Sequence, residues 1–383
     1  MSFTIKNNSK IAVVKETTAG TYAAPASGTD YLQVLADGME LTPSRETLER
    51  NVLGTGLGKI ANRTGLKSVA GSIPVELRAG STEGSEPEYH VLLESLLGGK
   101  KTVASITTGV GHTASVIAIA DTSTLSVGDI VVVKNAGSFH TSPIKAITSN
   151  ESIELLVPCA AAPADNVELA AFINFYAAET GHSDFSVSKY VEDAVLEKAM
   201  GCKCTSMSLE GFTTGQVASL NFSIEGADFD RKLESPAHSP SFTTSNTPII
   251  LQAVMYQNGE EISVNEFTLN IENTLGWIQN TNHGKISSRV TARSVAGTIN
   301  PYKRSDSIEW FNKFNKNEPF SLFVSAHNPT EVEGEYKEVV AFYMPKCIVN
   351  DISESDQDGV LTDSISFSCH TTSGEAEFIF VVS

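Results

Sequence analysis

Two stretches of this 383-residue chain are nearly the same, and no account of its fold can ignore them. Gly58–Ile73 reads GKIANRTGLKSVAGSI and Gly284–Ile299 reads GKISSRVTARSVAGTI, 226 positions apart, with nine of sixteen positions identical and no gap. A true duplication requires further matches in the same order, and these follow. After the first stretch, Glu86–Gly99 (EPEYHVLLESLLGG) places Tyr89, Leu92, Leu93, Leu96 and Leu97 at helical spacing. After the second, Ser305–Glu318 (SDSIEWFNKFNKNE) repeats Ile308, Phe311 and Phe314 three apart, with Ser305 and Asp306 able to cap the start. Lys203–Cys204 then matches Lys346–Cys347. Each opens an alternating strand that is followed by another, Leu220–Gly226 (LNFSIEG) in one case and Ile365–Thr371 (ISFSCHT) in the other. Leu220, Phe222 and Ile224 share a face, as do Ile365, Phe367 and Cys369, which is the signature of half-buried antiparallel strands.

The spacings size an insertion. Gly71 to Lys203 is 132 positions and Gly297 to Lys346 is 49, so the first copy carries 83 extra residues. They fall near 100–183, where short runs such as ASVIAIAD, GDIVVVKN and SIELLVP recur at roughly ten-residue spacing, the pattern of a small β-barrel or sandwich. Because the second copy lacks this module, it is expected to be a surface decoration. Asp230–Pro248, rich in Ser, Thr and Pro, reads as the linker between copies. The expected organisation is a mainly β chain with one helix per repeat. A discontinuous first domain (1–99 plus 184–235) encloses the inserted module (100–183) and precedes a second domain (236–383). A glycine-rich hairpin tip, Leu41–Lys59, is expected to gain order on assembly.

Composition narrows function. The net charge of −18 argues against a sequence-specific DNA binder, which needs Lys and Arg to displace counterions from phosphates. No apolar run reaches the roughly 20 residues of a membrane helix, and the first residues lack the features of a signal peptide. A cytoplasmic origin is expected. The five cysteines (159, 202, 204, 347 and 369) are too few and too scattered for a disulfide framework and are expected to be free thiols, with zinc the lesser alternative at Cys202–Cys204.

Motifs for reactive chemistry are broken or missing in the sequence. Gly54–Ile60 has Leu53 and Ile60 where a phosphate-binding loop needs Gly and Ser or Thr. Asp356, Asp358 and Gly359 begin like a calcium loop, but Ile365 stands where the terminal Glu belongs, and an Asp-Gly turn between strands is the simpler reading. The eight histidines contain no metal-binding pair. Trp277 and Trp310 read as core or subunit-interface anchors. No catalytic residue, metal site or cofactor is expected.

The S-V-A-G strands are more informative. Val69, Gly71 and Ile73 share one face, as do Val295, Gly297 and Ile299. The opposite face is small and polar, with Ser68 and Ser72 in one copy and Ser294 and Thr298 in the other. Such a face suits a wet channel wall, the close approach of another backbone, or simply a half-exposed sheet.

This order of hairpin, S-V-A-G strand, helix and final hairpin resembles the tail tube protein of long-tailed bacteriophages. Two further stretches contribute, KETTAGTYAAPASGTDYLQVLADGMELTP near the start and YMPKCIVNDISESDQDGVLTDSISFSCH near the end. The resemblance covers both copies and excludes 100–183. It implies tandem β-sandwich domains, each with a flanking helix, whose strands join those of neighbours into rings. Stacked rings form the hollow tail tube of the virion, assembled in the host bacterial cytoplasm around a tape-measure protein. Tail terminator and distal tail or baseplate proteins close its ends, and DNA passes through during ejection without tight binding. Most members carry one domain per chain in six-membered rings. Two domains per chain therefore imply a homotrimeric, pseudo-hexameric ring, with Ser68, Ser72, Ser294 and Thr298 as candidate channel-lining residues and no membrane partner. The competing expectation, from another class, is a trimeric phage fibre or adhesin whose inserted module binds a receptor or glycan.

Overall fold

The computed structural model describes all residues except 1–8, 51–60, 136–137, 214, 243–252, 283, 304–307, 328–337, 358 and 372–375. The Gly54–Ile60 loop, the Ser305–Asp306 cap, Asp358 of the Asp-Gly turn and the distal part of the hairpin tip lie outside the described residues.

The first copy opens with β1 (Ser9–Lys15) and β2 (Tyr31–Leu32), then β3 (Glu40–Leu48), β4 (Arg63–Glu76) and α1 (His90–Leu97). Strand β5 (Gly98–Val103) leads to six short strands: β6 (Ile106–Thr107), β7 (Val116–Ala118), β8 (Ile130–Asn135), β9 (Ser138–Thr148), β10 (Ser152–Leu155) and β11 (Glu168–Leu169). The chain returns through β12 (Phe172–Ala177), and the copy finishes with β13 (Phe185–Val191), β14 (Val195–Glu210), β15 (Ser219–Gly226) and β16 (Asp228–Leu233). The second copy comprises β17 (Val254–Gln257), β18 (Glu260–Ile262), β19 (Val264–Asn280), β20 (Gly284–Pro301), α2 (Ile308–Lys316), β21 (Phe320–His327), β22 (Val339–Gln357), β23 (Val360–Cys369) and β24 (Ile379–Val382).

Each copy is a two-layered β-sandwich. In the first layer of copy one the order is β3-β4-β15-β14. Copy two repeats it as β19-β20-β23-β22. The last strand of copy one then pairs with the first of copy two, Met207 opposite Ile271 and Leu209 opposite Leu269, so the two four-stranded sheets form one of eight strands. The long strands β14 and β22 each cross into the second layer, where their first halves pair with β13 and β21. Register shifts at Cys204/Ser206 and Val349/Asp351 mark the crossing in both copies, as expected where a strand changes sheet.

The apolar faces predicted from alternation do enter the core. Val69, Ile73, Phe222, Val295, Ile299 and Phe367 are all buried. Gly71 and Gly297 are required by crowding. A Cβ on Gly71 would lie 2.6 Å from the Glu40 carbonyl oxygen, and one on Gly297 2.4 Å from that of Thr268 and 2.7 Å from the Phe367 ring. Helix α1 is shorter than its sequence pattern, ending where Gly98 takes φ +82° and donates its N–H to the Glu94 carbonyl.

The inserted strands form their own six-stranded sheet, β6-β11-β8-β9-β10-β7. Strands β5 and β12 at its base pair with each other and belong to the large sheet. The Ala178 N–H donates to the Leu97 carbonyl at 2.7 Å, so the chain leaves and rejoins copy one at nearly the same point.

Three expectations need correction. The module is no detached decoration: Ile130, Val131 and Ile144 share a buried cluster with Phe323, Tyr343, Ile379 and Val381 of copy two. Polar ties reinforce the docking, with Lys101 bound to Asp129 at 2.6 Å and Lys134 to Glu83 at 2.6 Å. The presumed linker begins as structure, because Asp230–Leu233 pair with Val195–Lys198. The hairpin tip is also shorter than expected, since Leu41–Leu48 already pair with β4.

Candidate functional site: the polar face of the eight-stranded sheet

Residues directly opposite one another in antiparallel strands share a face. Following the registers across the eight-stranded sheet gives one continuous row of polar side chains. Glu40, Thr42 and Ser44 of β3 stand opposite Ser72, Ala70 and Ser68 of β4. Ser72 and Ala70 face Ser223 and Glu225 of β15, and Ser223 and Asn221 face Ser206 and Ser208 of β14. Across the seam, Ser206 and Ser208 meet Glu272 and Asn270 of β19, which in turn meet Ser294 and Ala296 of β20. Ala296 and Thr298 face Ser368 and Ser366 of β23, and Ser366 faces Asp351 of β22.

The sequence places small side chains here because the opposite face of each strand must fill the core. Ser68, Ser72 and Thr298 are half-buried and Ser294 is exposed. The structure therefore puts the four predicted residues on one face of one sheet, Ser68 and Ser72 on β4 and Ser294 and Thr298 on β20, with three strands between the pairs. Their hydroxyls and amides bind locally. Ser72 Oγ donates to Asn221 Oδ1 at 2.6 Å, Asn270 Nδ2 donates to Glu272 Oε1 at 2.7 Å, and Thr42 Oγ1 donates to Glu40 Oε1 at 3.0 Å.

Sequence reasoning named only the small hydroxyls, and none of the acids. Glu40, Glu225, Glu272 and Asp351 stand among the paired residues just named, which include no Lys or Arg, and Glu210 opposite Ser219 extends the row. The nearby cations turn away. Lys67 pairs with Asp228 at 3.2 Å, and Arg293 pairs with Glu377 and donates to the Ala178 carbonyl at 2.9 Å. Alternation in SMSLE and NIEN could have flagged these acids, but placing them on the same face as Ser68 requires the seam.

Other chemistry is spoken for. Glu86, His90 and Glu94 bring ligand atoms within 4.8 Å of one another, but Lys100 bridges Glu86 and Glu94 at 2.8 Å or less, and Lys15 holds Glu94 at 2.7 Å. Those lysines keep the Glu94 carboxyl below its usual range against the opposing effect of burial. The five cysteines are free, four of them buried. Burial pushes the Cys202 and Cys204 thiols up, away from the thiolate a metal requires. Trp310 is buried edge-on against Phe320 at 5.3 Å, and Trp277 is half-buried with Lys285 4.6 Å above its ring. Among the described residues, no helix is long and apolar enough to cross a membrane.

No curated protein matches the chain. The sequence model of a family described as phage tail tube protein matches residues 6–369, a span that runs through both copies and the insertion. With its duplicated β-sandwich and its continuous polar sheet face, the chain belongs to the phage tail tube protein family.

Proposed function

We propose that this structural tail tube protein closes into rings of three chains, stacked into the tube through which DNA leaves the virion. The observation that carries this reading is the eight-stranded sheet made by two copies in one chain. Three chains supply six copies and 24 such strands. Strands spaced about 4.8 Å and tilted about 40° would then enclose a barrel roughly 48 Å across at the backbone, wide enough for a DNA duplex. A ring of this kind closes by a heterologous contact and leaves no strand edge exposed.

On this reading the polar face lines the bore, with Ser68, Ser72, Ser294 and Thr298 beside Glu40, Glu210, Glu225, Glu272 and Asp351. Carboxylates repel phosphates, and without cations there is no counterion release to grip the passing genome. The tape-measure protein would occupy the same bore during assembly in the host cytoplasm, and terminator and distal tail or baseplate proteins would meet the exposed rings at either end. The role is architectural, without catalysis.

Cryo-electron microscopy of the assembled protein with no symmetry imposed is the test. Stacked hollow rings with true three-fold and approximate six-fold symmetry are expected. Six whole chains per ring would overturn the trimer, and discrete trimers bearing knobs would favour a fibre.

A further inference from the structure

One chain contains one completed copy-to-copy joint and the two unmatched halves of another. At the completed joint, β19 of copy two pairs with the second half of β14, and Phe267, Leu269, Ile271 and Asn273 are buried. The base of the β19–β20 arm then crosses onto copy one. Ser287 Oγ donates to both carboxylate oxygens of Asp184, at 3.1 and 3.0 Å, and seals Lys203, which is 3% exposed and bound to Asp184 at 2.8 Å. The arm lies so close that a Cβ on Gly20 would sit 2.6 Å from the Ile286 carbonyl oxygen.

The duplicated plan gives each of these residues a counterpart. On β3, the counterpart of β19, Thr42 to Leu48 are all exposed, and among the described residues it pairs only with β4. On copy two, the second half of β22 pairs among the described residues only with β23. Ile348 takes the place of Lys203, and instead of being sealed that position lines an open groove of about 930 Å³ with Lys346, Arg293, Pro319, His370 and Glu377.

We propose that the occupant of this groove and edge is the β3–β4 arm of a second copy of this chain, docked in the register of the internal joint. The proposal rests on the tube reading above and gives its subunit contact residue by residue. Aligning Cys347 with Cys202, as their partners Phe320 and Phe185 and the shared bulge require, and Gly71 with Gly297 translates the joint. Ser206 opposite Glu272 becomes Asp351 opposite Ser44 of the neighbour, Met207 opposite Ile271 becomes Ile352 opposite Pro43, and Ser208 opposite Asn270 becomes Ser353 opposite Thr42. Ile352 meets Pro43 on the core side and polar meets polar on the other, while at the end of the joint Leu209 is replaced by Glu354, which Lys303 holds at 2.5 Å. The anchor changes on both sides at once. Ser287 becomes Ala61, Asp184 becomes Pro319 and Lys203 becomes Ile348, so a hydroxyl–carboxylate–ammonium contact is replaced by an apolar one that strands no polar atom. Pro43 removes one ladder donor from the bare edge, a device that discourages indiscriminate strand pairing before the right partner arrives.

Directly opposed residues bring Cβ atoms to about 4.5–5.5 Å, close enough for a cysteine pair to be cross-linked. The test uses the full chain with Cys159→Ser to remove the least buried thiol. Thr42→Cys with Ser353→Cys is the in-register pair, and Thr42→Cys with Asp351→Cys is the off-register control. Oxidation of assembled tubes should convert most in-register chains into covalent oligomers that end at a closed ring, with at least ten-fold less product from the control. Tubes that form but cross-link no better in register than out of register would overturn the proposal and leave the tube reading intact. If the unmodified protein forms no tubes, the tube reading fails and the proposal with it. Should the double variants not fold, hydrogen exchange on the unmodified protein decides. At least one amide of each consecutive pair, Leu41/Thr42 and Ile352/Ser353, should gain at least hundred-fold protection on assembly, and unchanged exchange there would overturn the contact.

Discussion

Helices α1 and α2 hold the same place in the two copies and have opposite surroundings. Every residue of α1 from Val91 to Leu97 is buried. Helix α2 buries only Trp310 and Lys313 and leaves Ile308, Phe311 and Phe314 exposed. The contrast extends to Lys203, sealed at the joint, and Lys346, two residues from its counterpart Ile348 and open to a groove. One plan thus has two burial patterns, because copy one is wrapped by its insertion and by copy two while the matching surface of copy two is left open. Burial here reports the neighbour as much as the fold.

The largest effect should come from the two lysines. Lys203→Met strands the Asp184 carboxylate in a buried site and should cost about 3–5 kcal/mol, whereas Lys346→Met should cost under about 0.5 kcal/mol in the free subunit. Thermal unfolding of both variants measures the gap, and equal losses would erase the distinction between the copies. The helices give the next contrast. Leu92→Ala removes packing from a fully buried position and should cost about 2–5 kcal/mol, while Phe311→Ser should stay within about 0.5 kcal/mol, read by the same measurement. Thiol reactivity separates the module from the tube domains. Half-buried Cys159 should react with a disulfide reagent in the native protein at mildly alkaline pH. Cys202, Cys204, Cys347 and Cys369 should react only on unfolding, so early labelling of Cys202 or Cys204 would show the joint opening.

The smallest effect belongs to His182, which touches the carbonyls of Ser95 and Ala178 beside the joint. Burial first, then Arg293 and Lys203, hold its pKa below the ordinary 6.5. A depressed imidazole contributes stability above its unfolded pKa and loses it as pH falls, since the unfolded chain then binds more protons. Stability should therefore decline below about pH 6.5, and His182→Gln should flatten that decline in a series of unfolding curves at stepped pH.

The parts of the fold that could be read in the sequence were those written twice or written locally. The alternation of Val69, Gly71 and Ile73 against Ser68 and Ser72 predicted which face entered the core, and the repeat of Lys-Cys located both crossing strands but two residues out of step, since the registers set Cys347 against Cys202. The β14–β19 pairing left no trace, because two strands that meet through backbone hydrogen bonds need only compatible faces. The C-terminal strand β24, which lies between β12 of copy one and β22 of copy two, was invisible for the same reason. Docking of the module was missed because the apolar residues that cover it, Phe323 and Tyr343, look like ordinary strand residues of copy two. Half of the candidate site was therefore legible as small hydroxyls, and the acids joined it only once the strand order was known.

The insertion also sets a clock. In copy one, Ser72 on β4 reaches Asn221 on β15 across 149 residues, whereas in copy two Ile299 meets Ile365 across fewer than half as many. Longer loops cost more entropy to close, and rates fall as contacting residues lie further apart in the chain. Copy two therefore zips its first-layer sheet sooner, although it is made later. Copy one must hold β3 and β4 waiting until the module between them and β15 has been synthesised and has collapsed. During that interval the most complete edge available to a waiting hairpin is one offered by another chain, so the timing that the insertion imposes within a chain also governs when premature pairing between chains is most dangerous.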